Sequence, residues 1–146
     1  MNIDTLKTGQ LTIISTIDKI NQNINSFGIY VEMPVAKDIH CMVSELLELL
    51  KVHMDSISSF LGSENMLPDS FDQKMNVSIK SIIQGNESLF KRITSFDMRW
   101  SAFAISKSPR DFCFDFEYLS YKLKSRFKME ESLIYMLDIK NAIRKN

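Results

Sequence analysis

Four long stretches of this 146-residue chain place apolar residues at alternating spacings of four and three, with little to interrupt them. That spacing holds apolar side chains on one stripe of an α-helix, and each stripe must then be buried against another helix. Only four glycines and three prolines punctuate the chain, too few for a turn-rich β-protein. The first helix is expected from about Leu6 to Phe27, with Ile13, Ile17, Ile20, Ile24 and Phe27 on its seam and Gly28 as its stop. The second is expected from about Pro34 to Leu61, with Pro34 in the first turn, Gly62 at the end, and Ile39, Val43, Leu46, Leu50, His53, Ile57 and Phe60 as seam. The third runs from about Asp69 to Phe103 on Met75, Ile79, Ile82, Asn86, Leu89, Ile93, Phe96, Trp100 and Phe103. Gly85 weakens it midway by about 1 kcal/mol relative to Ala, which leaves room for a kink there. The fourth opens at Ser108-Pro109-Arg110-Asp111 and runs over about 109–143, with Phe112, Phe116, Leu119, Leu123, Arg126, Glu130, Leu133 and Leu137 as seam. The expected fold is all-α, an antiparallel four-helix bundle in a single domain.

Charge excludes one class of partner. Eighteen Lys and Arg balance eighteen Asp and Glu, so no net field draws the chain to a phosphate backbone, and direct nucleic-acid binding is not expected. Only Lys140, Arg144 and Lys145 form a small basic tail. No stretch is long and apolar enough to cross a bilayer, and the N-terminus lacks the pattern of an export signal. Cys41 and Cys113 are far apart and fit no metal spacing, so reduced, buried thiols and a cytoplasmic location are expected. Nucleophile elbows, phosphate loops, dinucleotide loops and zinc-protease motifs are missing from the sequence, which argues against an enzyme.

The polar residues on the seams are the chemical candidates: His53, Asn86, Arg126 and Glu130. A metal-binding bundle needs several inward His and carboxylate ligands, with His and Glu paired at helical spacing. Here His53 is followed one turn later by Ile57, and Glu130 is preceded one turn earlier by Arg126. Arginine offers no lone pair to a cation. The expectation is therefore no metal and no cofactor, with His53, Arg126 and Glu130 as a structural polar network; a hemerythrin-like metal or oxygen-binding bundle is the alternative. His40 is expected at the surface or facing a partner. His40, Leu47, Met54 and Leu61 also recur every seven residues beside the second seam. They fit either a widened core face or an exposed strip for a partner, rimmed by Glu45 and Glu48.

Arg126-Phe127-Lys128-Met129-Glu130-Glu131-Ser132-Leu133-Ile134 resembles the Arg-Phe-x-Leu-Glu-Asp-x-Leu-Ile pattern of the regulator of sigma D (Rsd/AlgQ) family of bacterial anti-sigma factors. The second helix is similar in part, at Cys41, Leu49 and His53. The likeness covers roughly residues 36–61 and 115–142, with a weaker stretch over Ile79–Phe90. It implies a helical bundle that holds a primary sigma factor, or another RNA polymerase component, and keeps it from its usual partner, without cofactor or catalysis. The family's Asp, Ser and Phe on the sigma-facing surface correspond here to Leu47, Leu50 and Met54, and its first-helix Trp and Arg are missing from Leu11–Phe27. The resemblance thus implies a partner surface of Glu45, Leu47, Glu48, Leu50 and Met54. Acidic Glu45, Glu48 and Asp55 would steer a basic sigma region toward it. An adaptor bundle with an unrelated protein partner is the remaining reading.

Overall fold

The apolar stripes do form helices. A computed structural model describes residues 3–64 and 73–144, and among them five helices and no strand occur. These are α1 (Ile3–Ile24), α2 (Met33–Glu64), α3 (Gln73–Arg99), α4 (Ala102–Lys107) and α5 (Pro109–Arg144). The expected start of the third helix at Asp69 lies outside the described residues, as does Lys145 of the basic tail. α1 packs on α2 and α5, and α3 packs on the same two, so the four long helices touch in a closed ring.

Three boundaries differ from expectation. α1 ends at Ile24, four residues before Gly28, and no described glycine has a positive φ. Gly28 is therefore not a left-handed cap. α2 runs through Gly62 to Glu64 rather than stopping there.

The third difference is a break in the expected third helix. It stops at Arg99, and α4 restarts at Ala102. Ser101 is extended at φ −68° and ψ 166°, and its hydroxyl accepts a bond from the Ala104 N–H. That is N-capping geometry, and it satisfies a donor that a new helix would otherwise leave bare. Three further contacts hold the break. Trp100 donates its indole N–H to Asp115 Oδ2 at 2.9 Å and sets its ring edge against Phe112 at 5.4 Å. His40 Nδ1 lies 3.1 Å from the Trp100 carbonyl, which can only accept, so this nitrogen carries the proton. Ser106 donates to the Val31 carbonyl at 2.6 Å, fastening α4 to the α1–α2 connection. His40 is thus half-buried and tied to the break, not a surface residue.

The core falls into two apolar clusters. The larger draws Ile13, Ile17, Ile20 and Ile24 from α1, and Val43, Leu46 and Leu50 from α2. It adds Ile93 and Phe96 of α3, Ile105 of α4, and Phe112, Phe116, Leu119 and Leu123 of α5. The smaller holds Leu6, Ile57, Leu61, Met75, Ile79, Ile82, Leu133, Ile134 and Leu137. Each fully buried side chain of this kind contributes about 1.5–3 kcal/mol relative to leaving it in water.

Candidate functional site

Between the two clusters lies a layer of polar side chains, at least one from each long helix. Gln10 stands between Leu6 of the small cluster and Ile13 of the large one, and His53 between Leu50 and Ile57. Asn86 falls between Ile82 and Ile93, and Glu130 between Phe127 and Leu133. A four-three seam passes through all of them, which is why helix geometry brings them to one level.

Glu130 is the centre of the layer and is 1% exposed. Its Oε1 accepts from Gln10 Nε2 at 2.9 Å and lies 2.7 Å from His53 Nε2. Its Oε2 accepts from Arg126 Nε at 2.8 Å, one turn back on the same helix. Arg126 Nη2 donates onward to Asn86 Oδ1, and Asn86 donates to Ser58 Oγ and, at 3.4 Å, to the Met54 carbonyl. Burial by itself would raise the Glu130 pKa. The hydrogen bond and charge of His53, the Arg126 guanidinium and the Gln10 amide outweigh it and hold the carboxyl below its ordinary value of 4.5. An ionised carboxylate accepts only, so His53 Nε2 carries a proton.

Two helix-interior glycines make room for this layer. A Cβ on Gly9 would come within 3.2 Å of His53 Nδ1, and one on Gly85 within 3.3 Å of Arg126 Nη1. α3 continues unbroken through Gly85. The glycine accommodates the guanidinium rather than ending a helical segment.

The structure brings His53, Arg126 and Glu130 together, as the seam spacing required. The carboxylate is fully engaged: Glu130 Oε1 meets His53 and Gln10, and Oε2 meets Arg126, while His53 bonds through Nε2 alone. No group of three or more His, Cys, Asp or Glu that could hold a metal ion occurs among the described residues. Gln10 and Ser58 were not among the expected members. Gln10 was legible, because Leu6, Gln10 and Ile13 continue the four-three spacing of α1 toward its start.

The expected partner surface on α2 is corrected. Leu47, Leu50 and Met54 are 3%, 0% and 6% exposed and belong to the large cluster. The sevenfold stripe widens the core face of α2, because helices on both sides cover it. Glu45, Glu48 and Asp55 remain at the surface, with Lys51 3.6 Å from Glu48.

Exposed large apolar residues are most numerous on α5, with others scattered over the remaining helices and the α1–α2 connection. Phe114, Tyr118 and Tyr121 are exposed at four-three spacing, and fourteen residues on, past Ser125, Lys128 and Ser132, the same outward face resumes with Tyr135 and Ile139, with Met129, Met136 and Ile143 beside it. α1 by contrast exposes a single large apolar residue, Leu11. Arg92 and Lys122 both stack over the Tyr118 ring, at 5.3 and 5.4 Å. The Tyr118 hydroxyl is held below its ordinary pKa first by its hydrogen bond to Lys122, then by the charge of that lysine, with Arg92 adding to both. Among the described residues no helix is long and apolar enough to cross a membrane. Comparison with protein-family models, curated proteins and solved structures finds no match.

Proposed function

We propose that this chain is a non-enzymatic cytoplasmic regulator, a single antiparallel four-helix bundle that binds a primary sigma factor or another RNA polymerase component and occludes it. The observation that carries the reading is the outward stripe of α5. It is rich in Tyr, Phe and Met, the residue types that supply the anchors of protein interfaces. It lies on the helix whose Arg126–Ile134 segment resembles the anti-sigma family. The closed ring of long helices supports the bundle, and the short connections from α1 to α2 and from α3 through α4 to α5 support its antiparallel order.

In this reading the family's contact face on α2 is replaced by the outer face of α5, with Glu45, Glu48 and Asp55 steering a basic partner from α2. The engagement of both Glu130 oxygens supports a structural rather than a catalytic role for that carboxylate. The test is capture of purified primary sigma factor and of core polymerase by the intact protein and by Tyr121→Glu. Tyr121 is 67% exposed, so the variant is expected to keep its melting temperature and lose capture. An interface charge without a mate is desolvated at a cost. Failure of the wild-type protein to hold sigma factor or polymerase would sink the reading, and capture of an unrelated protein would make it an adaptor. Undiminished capture by Tyr121→Glu would move the interface off α5.

A further inference from the structure

The polar layer leaves one buried nitrogen without a partner. His53 is 5% exposed, its Nε2 is committed to Glu130, and Nδ1 makes no hydrogen bond among the described residues. Buried ring nitrogens are ordinarily bonded, so an orphan calls for a physical explanation. Nδ1 faces Gly9, where a Cβ would stand 3.2 Å away. Gly9 and His53 both line a groove of about 320 Å³ on the α1–α2 side, with Leu6, Leu49, Val52 and Thr8 among its other walls. A glycine inside a helix carries a conformational cost that Ala would avoid. At this position the missing side chain keeps the approach to Nδ1 open.

We infer that this groove is a binding site for a small, mainly apolar molecule carrying one hydroxyl, whose polar end bonds to His53 Nδ1. The volume suits a substituted single ring, since a cavity of about 150 Å³ already holds benzene. The apolar walls take the ring, and a hydroxyl both donates and accepts, so it serves Nδ1 whether or not that nitrogen carries a proton. Through Nε2 the bound molecule would rest against Glu130. From there hydrogen bonds continue through Arg126 and Asn86 to Ser58. Asn86 and Ser58 line a separate groove between α2 and α3. The site is independent of the sigma-factor reading and of the α5 stripe.

The test uses the intact, ¹⁵N-labelled protein titrated with p-cresol and, as the matched molecule lacking the hydroxyl, toluene. The chain has two histidines, so the ring nitrogens of His53 and His40 can be assigned separately. p-Cresol is expected to bind saturably and to move the Nδ1 resonance of His53 while that of His40 stays in place. Toluene is expected to bind about tenfold more weakly, the share of one hydrogen bond to a buried group. Gly9→Ala should lower p-cresol affinity by about the same factor. Should Gly9→Ala fail to fold, Thr8→Phe closes the groove from its exposed rim and serves in its place. Equal affinity for p-cresol and toluene, an unmoved Nδ1, or undiminished binding by the folded groove variant would each overturn the assignment.

Discussion

The two apolar clusters on either side of the polar layer are built differently. The larger is organised around aromatic rings: Phe96, Trp100, Phe112 and Phe116 pack with centroids 5.4–6.3 Å apart. It is also closed at the α3–α4 break by a helix cap and by hydrogen bonds from His40 and Trp100. The buried members of the smaller cluster are all aliphatic or Met, with Phe60 only partly buried against them. Rings give large contact areas and preferred geometries, whereas aliphatic side chains pack with less angular specificity. One end of the molecule is therefore pinned by shape and by capping, and the other by burial alone. The polar layer between them is what keeps the two ends in one register.

The largest expected effect comes from breaking that layer. Glu130→Ala leaves the buried His53 Nε2 and Gln10 donors without an acceptor and strips the half-buried Arg126 of its counter-charge, with only Asn86 left to it. Chemical denaturation should show a loss of about 3–5 kcal/mol. A change within experimental error would mean that the two clusters hold together without the layer.

Next come the clusters themselves. Phe116→Ala should cost about 3–5 kcal/mol, because it removes a ring stacked on Phe112 at 5.9 Å. Ile79→Val in the smaller cluster should cost about 0.5–1.5 kcal/mol. Amide exchange should sharpen the contrast: the backbone around Ile79 and Ile82 is expected to exchange faster than that around Phe112 and Phe116. The reverse order would contradict the account of a pinned end and a loose end.

Acidification acts on the layer without touching either cluster. The folded carboxyl of Glu130 titrates below its ordinary value of 4.5. Its stabilising contribution is complete above that value and is lost as pH falls through the folded pKa. Denaturation midpoints measured between about pH 6 and pH 3 should fall for the wild type and fall less steeply for Glu130→Gln. Parallel curves would show that another carboxylate governs the acid limb. The smallest effect is expected at the surface. Lys124 and Asp18 lie 3.3 Å apart and are about half exposed, so Asp18→Ala should change stability by only about 0.2–1 kcal/mol.

Much of the inner architecture was legible from spacing. The seam residues of α1 from Ile13 to Ile24 are buried as expected, and so are Phe112 through Leu137 on α5 apart from the half-buried Arg126. The polar layer followed from the same arithmetic, because His53, Asn86, Arg126 and Glu130 stand where apolar residues would otherwise recur. What spacing could not supply was the width of each buried face. Leu47 and Met54 lie beside the α2 seam, and whether they meet solvent or another helix depends on how the neighbours are arranged around them. Periodicity also carried the third helix through to Phe103, which is 63% exposed. The Ser101 cap redirects the chain there, and a single serine is a weak signal inside an otherwise continuous apolar pattern. α5 was legible on its inner face and not on its outer one. Its stripe repeats with the same period, so sequence alone could not say which apolar side would be left facing water.

Trp100 is the single tryptophan of the chain, and the structure gives it the role of an optical reporter with a restricted view. Its indole is 3% exposed, sits at the capped end of the larger cluster, and is bonded to Asp115. Its emission therefore senses the solvent and dipoles of that end alone. A partly opened state that loses the aliphatic end would keep native-like fluorescence while its helical circular dichroism fell. Non-coincident melting curves from the two probes would make such a state visible without any label. Coincident curves would mean that the polar layer transmits unfolding from one end to the other as a single step.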